Sequence, residues 1–218
     1  MRRIILSAMA GLGLAGAAPP VLGQQLLMPG GPYEASAVPA DARGEWLALV
    51  VGEGSDRLAG VRVSVESVTE ECTGSPGAAR LVRVNGGAPP LALLRSVPGV
   101  REGAVTAGTL AAPQDWREPR QGTFAGKSFV LREERVGEGF RLRYSYRTAL
   151  ETVFEAPTED GGHWDLLWLG DLNRDGWPDL LLQADGKYSL QTTRLFVSRV
   201  RRGVGVLEEI AVFGIAAC

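Results

Sequence analysis

Histidine occurs once in this 218-residue chain, at His163, and cysteine and lysine twice each. One histidine and two widely separated cysteines exclude a histidine-rich or cysteine-rich zinc centre. No G-x-S-x-G elbow is present to give His163 a nucleophilic serine, and between Gly162 and Trp164 it reads as a turn or loop-packing residue. Helical periodicity is missing too: no apolar pattern of that spacing persists beyond a turn or two. Basic charge is in short supply. Without Arg2 and Arg3 the remainder carries 21 basic and 25 acidic side chains, a formal charge of −4, which excludes general electrostatic attraction to nucleic acid. Arginine outnumbers lysine 21 to 2 but is scattered, so we read it as coding bias, not as an anion-binding array.

Long apolar runs are confined to the start. Ile4 to Ala18 follows Met1-Arg2-Arg3 and is shorter than the roughly 20 residues that span a bilayer. With Val21-Leu22-Gly23 before Gln24 it reads as a signal peptide over residues 1–23, and no membrane span is expected after its removal. Gly11, Gly13 and Gly16 match G-x-G-x-x-G, but inside this segment, with no strand before them and no suitable acidic residue after. The expected location is periplasmic or secreted. In such an oxidising compartment Cys72 and Cys218 are expected to form one disulfide. Closing a loop of about 150 residues stabilises by roughly 4 to 5 kcal/mol in the chain-entropy model.

Alternation is what the chain has in quantity. Residues 24–44, with Pro29, Gly30, Gly31, Pro32 and Pro39, read as an irregular lead-in with little to bury. From Glu45 strands follow one another: Trp46 to Val51, the alternating Val61, Val63 and Val65, Arg80 to Val84, and Leu91 to Val97. Asn85-Gly86-Gly87 marks a hairpin between the last two. Ala104 to Leu110 and Ser128 to Glu134 are further candidates, and Trp116 reads as a lid on the core. Phe140, Leu142, Tyr144 and Tyr146 share one face of the clearest strand and Arg141, Arg143, Ser145 and Arg147 the other. That places both tyrosines in the core and the arginines in water. Leu150 to Glu155, Leu190 to Val200 and Val206 to Phe213 bring the expectation to about eleven strands. The predicted fold is therefore all-β, of antiparallel sheets in a sandwich-like or meandering arrangement, one domain over residues 45–218.

Between the apolar runs Trp164–Leu169 and Leu180–Leu182 lies an acidic loop. Asp171, Asn173 and Asp175 alternate, Gly176 follows, and Asp179 closes the pattern D-x-N-x-D-G-x-x-D. Calcium takes about six to eight oxygen ligands, and alternate side chains on a tightly turning backbone can face one ion. Gly176 suits the sharp bend. An ordinary polar turn selects Asp, Asn and Gly as well, but it gains nothing from three carboxylates within nine residues. An EF-hand needs flanking helices and a glutamate at position twelve, where this chain has Leu182.

Strand, calcium loop, strand over residues 164–198 resembles the FG-GAP or VCBS repeats of integrin α-chains and many exported bacterial proteins. The resemblance implies side-chain ligands from Asp171, Asn173, Asp175 and Asp179, a backbone carbonyl from Trp177, and calcium as cofactor. Family members repeat the unit as propeller blades, whereas this chain holds one copy, so a propeller is not expected. Asp185, followed by Gly186, reads as a hairpin-turn residue, which accounts for it without a further ligand from across the sheet. The expected function is that of an exported calcium-binding β-domain with a structural, binding or adhesion role toward an extracellular glycan or protein. The alternative is a hydrolase of polysaccharide or cell wall using a carboxylate pair. Glu133 and Glu134, adjacent on a strand, point to opposite faces; Glu159 and Asp160 are the other pair.

Overall fold

The structure is a computed structural model and describes residues 23–69, 75–87, 89–111, 118–157, 163–185 and 189–216. The expected signal peptide up to residue 22, Cys72 and Cys218 with their expected bridge, Trp116, and the Glu159 and Asp160 pair lie outside these. All regular structure among the described residues is strand, and every pairing is antiparallel.

The first half of the chain contributes β1 (Gln25–Leu27), β2 (Gly30–Glu34), β3 (Gly44–Val50), β4 (Asp56–Val68), β5 (Ala79–Val84), β6 (Ala92–Arg95) and β7 (Gly103–Ala107). The second contributes β8 (Thr109–Leu110), β9 (Arg120–Phe124), β10 (Lys127–Val136), β11 (Gly139–Tyr146) and β12 (Ala149–Ala156). The chain then adds β13 (Trp164–Asp171), β14 (Asp179–Ala184), β15 (Leu190–Arg201) and β16 (Val204–Ala216). Most of the additional strands beyond the sequence expectation are short.

Nine strands follow the order β1-β6-β3-β4-β7-β13-β14-β15-β16, and β1 lies against β16, so this sheet curls into a nearly closed barrel. The long β4 divides its free edge: Asp56 to Leu58 pair with β7, while Val63 to Val68 pair with β5, which also holds β2. The second sheet has the order β12-β11-β10-β9-β8. The chain passes between sheets at Gly108, where a Cβ would meet the Leu169 side chain at 2.5 Å and the Thr123 carbonyl at 3.0 Å. Only glycine fits that gap.

Two apolar clusters result. One fills the barrel, with Leu27, Trp46, Leu93, Trp168 and Phe213 among its members. The other lies between the two sheets, where Phe129, Phe140, Tyr144 and Tyr146 meet Trp164, Leu180 and Leu182. β14 is buried on both sides, Leu181 facing one cluster and Leu180 and Leu182 the other. That explains its unbroken apolar sequence. In β13 a register shift between Leu166 and Trp168 re-aims the strand, so that Leu166 and Leu169 join the second cluster and Trp168 the first.

Two sequence expectations are corrected. Residues 24–44 hold β1 and β2, and Leu26, Leu27, Val38 and Ala42 are buried in the barrel. Asn85-Gly86-Gly87 does not close a hairpin. β5 pairs with β4 and β2, and β6 with β3 and β1, because β3 and β4 each offer a separate edge for them.

Candidate functional site

β13 ends at Asp171 and β14 begins at Asp179, with Gly170 opposite Asp179 in the ladder. The residues between form one tight loop joining antiparallel neighbours, flanked by strands as the sequence implied. Its turns need the left-handed region twice, at Arg174 (φ 62°) and Gly176 (φ 83°). Glycine takes that conformation without steric cost. Arg174 is held there by its guanidinium, whose Nη2 donates to the carbonyls of Arg101, Glu102 and Ala104 at 3.0 to 3.3 Å.

The acidic side chains cap the loop's own backbone. Asp171 accepts from the amides of Asp175 (3.1 Å) and Gly176 (2.9 Å), one on each oxygen. Asn173 Oδ1 accepts from Asp175 N at 3.0 Å, and Asp175 Oδ1 from Trp177 N at 2.9 Å. Asp179, 0% exposed, accepts from Leu172 N (2.6 Å) on one oxygen and from Ser198 N (2.7 Å) on the other.

Ser198 of β15 completes the arrangement. Its Oγ lies 3.0 and 3.1 Å from the two Asp175 carboxylate oxygens, 2.9 Å from Asp179 Oδ1 and 3.4 Å from the Trp177 carbonyl. A hydroxyl carries one proton, so it serves one of these four acceptors at a time; Asp175 also accepts from Trp177 N and Asn173 Nδ2, and Asp179 Oδ1 from Ser198 N. The Asn173 amide donates to the Ser198 carbonyl at 2.7 Å, tying the loop to β15 from its other side.

Burial is the largest influence on two of these carboxyls. It raises Asp171, where the nearby Asp175 charge adds to the effect and the Gly176 and Asp175 amides oppose it. It pushes Asp179 up to about 7 against the amides of Ser198 and Leu172, with the Asp171 charge again adding. Crowded, dehydrated carboxylates of this kind favour any partner that brings positive charge.

Comparison with known protein families, curated proteins and solved structures returns no match. What the loop can hold follows from its own atoms. Its donors are carboxylate, amide and carbonyl oxygens, the hard set that suits calcium. Among the described residues, however, no three His, Cys, Asp or Glu side chains are grouped to hold a metal between them. Their oxygens are engaged with backbone amides and Ser198 instead. In donor chemistry the loop fits calcium; convergence of the carboxylates would require those contacts to be shared or exchanged.

Of the sequence-derived set, Asp171, Asn173, Asp175, Trp177 and Asp179 all belong to this one hydrogen-bonded turn. Asp185 is separate: it is buried and accepts from Thr192 N across the β14–β15 connection. Glu133 accepts from Trp164 Nε1 at 2.9 Å and Glu134 pairs with Arg132 at 2.8 Å, so neither is grouped with a second carboxylate. Sequence reasoning missed Ser198. A single serine closing the apolar run Leu195-Phe196-Val197 was the available signal.

Proposed function

We propose that this chain is an exported calcium-binding β-domain in which the ion stabilises the fold, serving a structural, binding or adhesion role. The observation that carries the reading is the crowding of oxygens at the Asp175, Asp179 and Ser198 contact, where three carboxylate oxygens and the Trp177 carbonyl lie within 3.4 Å of one hydroxyl beside a fully buried carboxyl. Asp171, Asn173, Asp175 and Asp179 would hold calcium through side chains and Trp177 through its carbonyl. The ion would supply the positive charge that the buried carboxylates lack. Asp171 and Asp179 stand at the ends of adjacent strands, so holding both fixes the β13–β14 hairpin. Arg174 and Trp177 carry the same constraint into the 101–104 segment and the second sheet.

A ligand at one hundred times its dissociation constant stabilises the folded form by about 2.7 kcal/mol. For a domain of this size that corresponds to a melting shift of roughly 5 to 10 °C. Thermal melts with calcium and with a chelator should differ by about that much, and Asp175→Ala should remove the difference. Equal melting temperatures in the wild-type chain under both conditions would refute the reading.

A further inference from the structure

At the rim of the barrel the inner face of β4 runs from Val63 and Val65 to Ser67, and Ser67 lies opposite Arg80 of β5. The segment after β2 closes over this end. It is tethered by Ala35 N to the Ala78 carbonyl at 3.0 Å and by Arg43 Nη2 to the Val65 carbonyl at 2.9 Å. Between them is a cavity of about 570 Å³, within the range of small-molecule sites. Ala35, Pro39 and Ala40 contribute the accessible apolar surface with Val38 and Val65 buried behind it, and Ser36, Ser67, Arg43 and Arg80 contribute every polar side chain in its lining.

Charge in this cavity is of one sign. Neither guanidinium is paired with a carboxylate among the described residues: Arg43 donates to the Val65 carbonyl, and Arg80 donates through Nη1 to Ser67 Oγ and to the carbonyls of Gly77 and Ala79. On the opposite face of the same two strands, Arg83 pairs with Glu66 at 2.9 Å. Of the acids beside these residues in the chain, Glu34 accepts from Ser36 at 3.3 Å and Asp41 pairs with Arg95 at 3.0 Å, and neither lines the cavity. Guanidinium groups recognise carboxylate and phosphoryl oxygens through paired N–H donors, while the apolar lining has no polar atom to offer a wholly hydrophilic ion.

The geometry points to a binding site for an organic anion, a single carboxylate or phosphoryl head on an apolar body. Arg43 and Arg80 take the head, with the Ser36 and Ser67 hydroxyls beside it, and Ala35, Pro39 and Ala40 cover the body. The site shares no residue with the calcium loop and does not depend on it.

Octanoate, octyl glucoside and acetate titrated calorimetrically into the full chain test this: the first has head and tail, the second the tail alone, the third the head alone. Octanoate should bind saturably and the other two at least tenfold more weakly. Arg43→Gln and Arg80→Gln should each weaken octanoate at least tenfold while the melting transition is retained. Amide NMR signals of Ser36 and Ser67 in the wild-type chain should shift with octanoate, which decides the matter if a variant does not fold. Octyl glucoside binding as tightly as octanoate, undiminished octanoate affinity in both folded variants, or shifts absent from Ser36 and Ser67 would each overturn the assignment.

Discussion

Glu151 sits on the inner side of β12 opposite Tyr144 and accepts from Leu207 N of β16 at 3.1 Å through Oε2. Its Oε1 is buried without a hydrogen-bond partner among the described residues. Burial therefore raises its carboxyl above the ordinary value of 4.5, against the Leu207 amide. The folded chain holds this proton to a higher pH than the unfolded chain does. The associated stability is complete below pH 4.5 and is lost as pH rises through the raised value. Asp171 and Asp185 are raised as well and act in the same direction. In chelator, the melting temperature should fall as pH climbs above 4.5, and Glu151→Gln, neutral throughout and still an acceptor for Leu207, should flatten part of that decline. Parallel wild-type and variant profiles would contradict the argument. Ser198→Ala isolates the hydroxyl of the loop contact. Its removal should destabilise the chelated protein by about 1 to 3 kcal/mol, since Asp175 and Asp179 lose a shared donor.

At the scale of elements, Trp177 is the joint between the acidic loop and its surroundings. The ring is buried, meets Tyr146 edge-on at 5.6 Å and has the Arg147 guanidinium 4.9 Å from its centre. Gly205 of β16 packs so closely that a Cβ there would lie 2.4 Å from the indole. Its backbone is not in the left-handed region, so Gly205→Ala tests packing alone. The substitution should cost about 1 to 3 kcal/mol and change tryptophan fluorescence, because the ring must move. An unchanged melt and spectrum would remove Trp177 from this role.

The strands most legible in the sequence were those whose two faces differ. β11 shows the alternation directly: Phe140, Leu142, Tyr144 and Tyr146 are all buried. The loop between β13 and β14 was also legible, because its residue types and spacing are local. Pairing between distant strands was not. Asn85-Gly86-Gly87 has the composition of a hairpin turn, yet β5 is taken by β4, the strand before it, and β6 by the distant β3. Ser198 escaped for the same reason: it is 19 residues from Asp179 and meets it only through β14–β15 register. The two rim arginines, Arg43 and Arg80, looked scattered because their shared cavity exists only once β2 and β5 have paired.

For the whole molecule, the decisive element is among the shortest. β1 is three residues long, too few to display any period, and the Pro and Gly residues after it suggest irregular chain. Even so, Leu27 is 0% exposed in the barrel core. Leu27→Ala should lower stability by about 2 to 5 kcal/mol, measured by denaturant titration; a cost within half a kilocalorie would place that segment outside the cooperative unit. The barrel's own geometry also imposes a timetable. Its near-closure brings β1 against β16, the first and last strands of the described residues. A growing chain can seat Leu26 and Leu27 against β6 but cannot close the barrel beside them until residues 204–216 have emerged, and contacts of such sequence separation form slowly. Loss of β16 would therefore leave β1 held by β6 on one side only.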